Sequence, residues 1–510
     1  MYRNILIVVG ITILFLGMSN TSFIAVDTVN IEHINGKSSC DDVDWWPMFR
    51  HDPQHSGFST SDAPVTNNVL WKYKTGNRVH SSPAVADGKL YICCVSVYCL
   101  DANTGDYIWN YTTGESVSSS PAVVNGKDYI GSDDFKVYCL DGNTGDYIWS
   151  YKTEHEVESS PAVADGRVYI GSSHYNDNVY CLDANTGDFI WSYSTGDQVK
   201  SSPAVVNGKV YIGSRDDNVY CLDANTGDYV WNYTTGDSVG SSPAVADGKV
   251  YIGSDSVYCL DANTGDFIWD YTTGDWVWSS PAVAYGRVYI GSQDHKVYCL
   301  DANTGGYIWS YTTGGSVSSS PAVADGKVYI GSYDFKVYCL DANTGDYIWS
   351  YKTGHDVESS PAVADGIVYI GGSYINYGFV YAFGSNSPPD KPTITGQTSG
   401  EVGVEYEYTF HASDPDGDDV KYFIVWGDLT SEWTDFYPSG TDAKVKHTWY
   451  IKGNFKIKAE AEDIYYDIGP VGTLKVTMPK NKGLTNSLFL RFLDRFPLLE
   501  VFLRAMNLLR

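Results

Sequence analysis

The sequence predicts an all-β protein, most of it a closed ring of repeated four-stranded blades. Three observations predict it. Eight Ser-Ser-Pro-Ala-Val segments, with prolines at Pro83, Pro121, Pro161, Pro203, Pro243, Pro281, Pro321 and Pro361, recur every 38 to 42 residues. A period near 40, with short apolar runs and Gly-rich turns, is the signature of a propeller blade. Each unit also carries one fourth-strand tryptophan: Trp71, Trp109, Trp149, Trp191, Trp231, Trp269, Trp309 and Trp349. The first of these precedes the first Ser-Ser-Pro, and the last unit stops after its third strand, at Val380-Tyr381-Ala382-Phe383.

Residues 159–195 contain one unit whole. Residues 161–163 read as a first strand, and Asp165-Gly166 is a strong hairpin signal. Residues 168–171 are a second strand, 174–178 a variable loop, 179–182 a third strand, 183–187 a turn and 189–193 a fourth strand. A lone blade cannot bury both faces, so neighbours must stack and the ring must close. The ends supply the closure. The repeats comprise one permuted fourth strand, seven complete blades and one blade lacking its fourth. Pairing residues 70–73 beside 380–383 completes an eight-bladed β-propeller closed by an N-terminal strand.

The run Cys181-Leu182-Asp183-Ala184-Asn185-Thr186-Gly187-Asp188-Phe189-Ile190-Trp191 recurs nearly unchanged in six further units. It resembles the Ala-Leu-Asp-Ala-x-Thr-Gly-x-x-x-Trp pattern of quinoprotein-type (PQQ-repeat, BamB-type) propellers. The stretch Trp46-Pro47-Met48-Phe49-Arg50-His51-Asp52 through Gly57 resembles the lead-in to such propellers. The resemblance covers about residues 45–385. It implies a fold, because the family includes both quinone-dependent alcohol dehydrogenases and BamB-type assembly scaffolds, and fold is not function.

Composition points to a compartment. Residues 5–16 form a short apolar run behind one positive charge, so residues 1–26 read as a signal peptide or a retained N-terminal anchor. A lead-in follows at 27–66, and the propeller occupies 67–385. Sequons at Asn110-Tyr111-Thr112 and Asn232-Tyr233-Thr234 fit export. The net charge of −28 argues against a nucleic-acid partner.

Seven cysteines (Cys99, Cys139, Cys181, Cys221, Cys259, Cys299, Cys339) share one third-strand position, where the eighth blade has Ala382. Stacked sheets lie about 10 Å apart, whereas a disulfide needs Cα atoms within ~7 Å. These are read as small buried residues, with a metal ring as the alternative. Cys93-Cys94 replaces the Gly-Ser that ends the second strand in blades two to seven. It is read as local drift. The alternative, implied by the family resemblance, is a redox pair covering a cofactor. Cys40 has no evident partner. The repeated Asp-Ala-Asn-Thr-Gly-Asp turn lacks the EF-hand register and reads as a structural hairpin, and the tryptophan after it as a wedge between blades.

Function is expected where the repeats differ at a fixed position. Before each Ser-Ser-Pro lies a register x-Val-x. Its first position reads Arg78, Ser116, Glu156, Gln198, Ser238, Trp276, Ser316, Asp356, and its second His80, Ser118, Glu158, Lys200, Gly240, Trp278, Ser318, Glu358. Alternate strand residues share a face, so both sets oppose the constant Val and rim one mouth of the channel. A quinone site would need an aromatic floor, a cation held by carboxylates and a base. Trp276 or Trp278, Glu158 or Glu358, and Arg78 or Lys200 offer those chemistries. The blades lack the long insertions that wall the active site in the family's enzymes.

After a Pro/Ser linker at 386–392, residues 393–478 alternate apolar and polar in about seven short strands, an immunoglobulin-like sandwich signal. Asp414-Pro415-Asp416-Gly417-Asp418, Trp426-Gly427-Asp428, His447-Thr448-Trp449 and Gly453-Asn454-Phe455 resemble the PKD family, whose Phe-Gly-Asp-Gly is Trp-Gly-Asp-Leu here. The resemblance implies a spacer or adhesion module. Asp414, Asp416 and Asp418 form either a plain acidic turn or a calcium site. The tail, 479–510, carries six Lys/Arg against two Asp/Glu. Its apolar residues have helical spacing, from Leu488, Phe489, Phe492, Leu493 and Phe496 to Phe502, Leu503, Met506 and Leu509, interrupted at Pro497. It reads as a basic amphipathic helix that contacts a membrane surface or a partner, or packs back on its own domain. The combination resembles archaeal cell-surface proteins. The expected function is a non-enzymatic extracytoplasmic binding or scaffold protein whose rim meets a protein or glycan. The rivals are a PQQ- and calcium-dependent dehydrogenase and a structural adhesin acting through the PKD-like domain.

Overall fold

A computed structural model describes residues 43–173, 178–374 and 377–479. All regular elements among the described residues are strands. Eight sheets follow the repeats, and the third is representative: Ala162–Ala164, Arg167–Gly171, Asn178–Asp183 and Phe189–Ser194, antiparallel in that order. Asp165 and Gly166 sit at φ 49° and 74°, the two positive values that a tight hairpin turn requires. Tyr169 pairs with Cys181, and Cys181 with Trp191, so the three lie side by side across the sheet. A bulge beside Cys181 then gives the fourth strand one extra residue. Phe189 and Ile190 consequently both face solvent while Trp191 is buried.

First strands of adjacent blades contact one another around the ring. The strand Val69–Lys74 pairs antiparallel with Tyr377–Phe383 and completes the eighth blade, as the permuted repeat predicts. The indole N–H of Trp349, which faces the closing blade, is buried without a partner. The other seven of the eight wedge tryptophans donate theirs to the next blade's turn, as Trp191 does to the Ala224 carbonyl at 3.1 Å. The turn glycine lies against that ring, where a Cβ on Gly227 would come within 2.6 Å of Trp191.

The serines explain the repeat. The first Ser of each Ser-Ser-Pro accepts the second-strand amide of its own blade, as Ser159 Oγ does from Gly171 at 3.2 Å. The second Ser bonds the next blade. Ser82 N–H donates to Ser120 Oγ, Ser120 to Ser160, Ser160 to Ser202 and Ser202 to Ser242. Ser242 then donates to Ser280, Ser280 to Ser320, Ser320 to Ser360, and Ser360 back to Ser82. All eight bonds measure 2.8–3.0 Å. Proline follows because its missing N–H is not needed where the strand begins.

The lead-in lies across the inner strands. Carbonyls of Trp46, Pro47, Pro53, Gln54, Ser56 and Gly57 accept from the amides of Val85, Val123, Val205, Val245, Val283 and Val323 at 2.6–2.9 Å. Buried Arg50 donates to the Pro281 carbonyl at 2.7 Å and to that of Pro321. His55 bonds the Pro243 carbonyl at 3.0 Å. Phe58–Ser59 then pairs parallel to Ala322–Ala324, so the seventh blade has five strands where the repeat predicts four.

Residues 393–478 form a β-sandwich. One sheet contains Thr393–Gly396, Glu405–His411 and Asp442–Thr448; the other contains Ser431–Trp433, Val420–Val425, Gly453–Asp463 and Gly472–Met478. Trp426 and Trp449 meet edge-on in its core, together with Tyr408, Phe410 and Ile457. The expected leader, Cys40 and the amphipathic tail lie outside the described residues.

One buried residue breaks the repeat. Asp128 is fully buried where the other blades have Leu90, Val168, Val210, Val250, Val288, Val328 and Val368, and neither carboxyl oxygen has a partner. Asp128→Val is expected to stabilise the fold by about 1–3 kcal/mol at pH 7, the desolvation penalty of an unsatisfied polar group. Burial raises the folded-state pKa of Asp128 well above 3.8. Above that value the unfolded chain holds fewer protons than the folded one, so the native Asp destabilises increasingly as pH rises. Urea denaturation should therefore show a larger gain for Asp128→Val at pH 7 than at pH 4.

Candidate functional site

The rim is set by its constant valine. Val199 is fully buried because it packs against Gly171 of the preceding blade, where a Cβ would come within 2.4 Å of Val199 Cγ1. The same contact recurs around the ring, for example between Gly253 and Val277 and between Gly371 and Val79. Fixing the valine inward turns the flanking positions outward. Arg78, His80, Glu156, Glu158, Gln198, Lys200, Trp276, Trp278, Asp356 and Glu358 are all half-buried or exposed.

The structure sorts these residues into two sectors. In the first, Lys200 Nζ meets both carboxylate oxygens of Glu158, at 2.7 and 2.8 Å. Trp276 and Trp278 stand parallel, ring centroids 5.9 Å apart and 13° from coplanar, each 48% exposed. A cleft of about 380 Å³ is lined by Lys200, Arg215, Asp237, Ser238, Gly240, Trp276 and Trp278. In the second sector, His80 Nδ1 lies 2.7 Å from Glu358 Oε2, and Tyr333 donates to Glu358 Oε1 at 3.0 Å. The His80 hydrogen bond, offset in part by burial, holds the Glu358 carboxyl below the usual range. Arg78, His80, Cys94 and Asp133 line a smaller cleft of about 220 Å³ there. Burial, then Glu158 and Glu156, push Asp133 up to about 6. Glu156, Gln198 and Asp356 line neither cleft.

Arg215, Tyr333 and Asp133 were not among the sequence candidates. They follow the Gly-Ser that ends the second strand, and their amides bond rim carbonyls, as Arg215 N does to Gln198 O at 2.9 Å. This is a second variable register, visible in the repeats as Gly-Ser-Asp, Gly-Ser-Arg, Gly-Ser-Gln and Gly-Ser-Tyr.

Cys93 and Cys94 are both buried and free. Cys93 occupies the glycine position and keeps its backbone role, donating to Ser81 Oγ at 2.9 Å. Burial, then Asp128 and Cys94, raise the Cys93 thiol well above its ordinary value, the opposite of a reactive thiolate. The seven third-strand cysteines are free and fully buried, each between a tyrosine and a tryptophan. The hairpin aspartates bond their own turns; Asp183 Oδ1 accepts from the amides of Asn185 and Thr186 at 2.8 and 3.0 Å.

The quinone requirements are not met by this rim. Both oxygens of Glu158 are taken by Lys200, and those of Glu358 by His80 and Tyr333. Neither carboxylate offers a cation the oxygens it would need.

At the junction of propeller and sandwich the chemistry differs. Among the described residues, Asp414, Asp416 and Asp418 bring one carboxylate oxygen each within 4.8 Å of the others. Asp414 Oδ1 accepts from the amides of Asp416 and Asp418, while its Oδ2 is buried without a partner. The linker reaches this cluster: Ser387 N donates to Asp416 Oδ2 at 2.6 Å, and Asn386 Nδ2 to Asp463 and Asp467. Asn386 Oδ1 is a second buried oxygen without a partner. A hard dication with oxygen ligands fits this donor set.

With this geometry in hand, comparison with known proteins defines the class. The protein family described as outer membrane protein assembly factor BamB matches residues 95–176, 175–255, 215–316 and 293–376, together more than half of the chain. The chain belongs to this PQQ-repeat propeller family. Among solved structures it is similar to a quinohemoprotein alcohol dehydrogenase from Pseudomonas putida HK5 (17% identity, 69% of this chain and 83% of that one, TM-score 0.60). It is also similar to BamB from Moraxella catarrhalis (19%, 62% and 97%, TM-score 0.53). A computationally designed protein, Ika8, aligns comparably (16%, 62% and 99%, TM-score 0.56). Identities this low show the fold alone. No curated protein matches the chain.

The acidic junction yields a pH dependence. Burial, then Asp414, Asp463 and Asp416, push Asp418 up to about 6, and Asp414 is also raised. A raised folded-state pKa gives stability that is complete below the unfolded value and lost as pH rises through the folded one. In chelator the protein is therefore expected to lose stability between about pH 4 and pH 6. Asp418→Asn should flatten that part of a melting-temperature profile.

Proposed function

We propose that this chain is an extracytoplasmic, cell-surface binding or scaffold protein whose propeller rim engages a protein or glycan partner. One observation carries the reading. All eight blades keep Val, Ser-Ser-Pro and Trp, and seven of the eight keep the second-strand Gly and the Asp-x-x-Thr-Gly turn, and each of these has a packing or hydrogen-bonding role. The rim positions have none in common, and there the side chains diversify. Two half-exposed tryptophans beside Arg215 are the residue types that dominate binding hot spots.

The compartment rests on the leader, the sequons and the −28 charge. That charge also argues against nucleic acid. Residues 393–478, with seven strands in two sheets, support an immunoglobulin-like, PKD-type spacer that holds the propeller near the surface. Membrane contact is assigned to the apolar leader and to the basic, aromatic-rich segment 479–510.

Calorimetric titration of the full chain with pyrroloquinoline quinone, with and without calcium, is expected to give no heat of quinone binding. A calcium-dependent one-to-one site of micromolar strength, abolished by Glu158→Gln or Trp278→Ala, would replace this reading with a dehydrogenase.

The two orphaned buried oxygens favour calcium at Asp414, Asp416 and Asp418, as a clamp between linker and sandwich. An affinity on the order of 10 µM would add about 2.7 kcal/mol of stability at ~1 mM calcium. The resulting rise in melting temperature is expected at pH 7.5, to shrink below about pH 6 as protons compete for Asp418, and to vanish in Asp414→Asn.

A further inference from the structure

We infer that the cleft spanning blades four, five and six is a saccharide subsite selective for neutral sugars; this rests on the rim reading above and names its ligand class. The cleft exists because blade five has no large side chain at either rim position. Ser238 and Gly240 form a low floor, and a Cβ added at Gly240 would meet nothing within 4 Å. Lys200 and Arg215 of blade four stand on one side, and Trp276 and Trp278 of blade six on the other. Val277 between the two tryptophans is fully buried, so the backbone holds both indoles outward, and their parallel planes present apolar faces side by side. The negative face of an indole attracts the polarised C–H face of a pyranose ring. At about 380 Å³ the cleft falls at the lower end of ligand-sized cavities, enough for a short stretch of glycan.

The polar lining selects between sugar types. Lys200 is neutralised by Glu158 at 2.7 Å. Arg215 makes no ion pair among the described residues and sits in the same cleft as Asp237. Counting Glu158 with Lys200, the cleft holds two cations and two carboxylates, a formal charge of zero. Asp237 spends one oxygen on the Ser238 amide at 2.7 Å, and its other oxygen is an acceptor for a sugar hydroxyl. The guanidinium of Arg215 supplies up to five N–H donors for hydroxyls. Beyond the cleft, the −28 charge repels polyanions over roughly 10 Å. A neutral saccharide satisfies the indoles and the balanced polar groups together; a uronate would lack a net cation to meet it.

The test presents the full chain to an array of immobilised neutral and uronate oligosaccharides, beside Gly240→Phe, which fills the cleft from open space, and Trp278→Ala. Melting curves of both variants verify folding. At least one neutral oligosaccharide should be retained, with retention falling roughly tenfold in each variant and unchanged in ~0.5 M salt. Salt-sensitive preference for uronates would overturn the neutral selectivity. An array with no neutral sugar retained above the Gly240→Phe background would overturn the saccharide inference. Binding to isolated cell envelope separates this from failure of the rim reading. With a blank array, loss of envelope binding in Gly240→Phe leaves the rim reading standing with a protein partner. Envelope binding unchanged in both variants overturns the rim reading as well.

Discussion

The ring depends on a single closed circuit of hydrogen bonds, in which each blade's second serine amide is held by the hydroxyl of the next blade's serine. These groups are buried, with Ser82 and Ser360 at 6% exposure and Ser120 at 4%. An unmet donor there would cost about 1–3 kcal/mol. The circuit has eight members because each step needs the same offset between neighbours, so one blade out of phase would break two bonds. That requirement accounts for the invariance of Ser-Ser-Pro better than any ligand does. Blade one makes the same point, since Cys93 loses the glycine side-chain geometry but keeps the backbone bond to Ser81.

The lead-in supports the same edge from within. Carbonyls between Trp46 and Gly57 meet valine amides from six blades, and Arg50 places its guanidinium against two proline carbonyls. Burying a guanidinium is costly unless its N–H groups are met; the two carbonyls meet part of that need while Nε has no partner, and burial lowers the Arg50 pKa to about 9. The positions with these duties vary little from blade to blade, which is why variation gathers at the rim.

Much of this was legible in the sequence. The repeat period gave blade number, the misplaced Trp71 gave the closing partner, and Asp-Gly pairs located the hairpins within a residue or so. Local chemistry repeated eight times is easy to read. The lead-in was not legible in the same way, because its partners lie up to 271 residues away and no spacing encodes them. A count of unpaired inner-edge amides would have demanded some such segment. The second variable register, with Arg215 and Tyr333, was readable from the repeats as variation, but only the folded ring brings it beside the segment before Ser-Ser-Pro. Asp128 was readable for the same reason, as an Asp in a column of Val. The grouping of Lys200 with Trp276 across Gly240 needed the structure, since it depends on which gaps in the rim are wide.

The closing blade differs from the other seven in one respect: its outer strand, Val69–Lys74, is not continuous in sequence with the strand it pairs, Tyr377–Phe383. The sandwich follows directly after that second strand, tied to the propeller by few contacts, such as Tyr465 Oη on the Asn103 carbonyl at 3.2 Å. A tug on the sandwich is therefore delivered along Tyr377–Phe383, sliding it past Val69–Lys74, so that a row of inter-strand bonds bears the load together. Load carried along the chain thus enters the ring at the seam where the two ends of the repeat region meet, and the closing blade resists it by shear rather than by peeling.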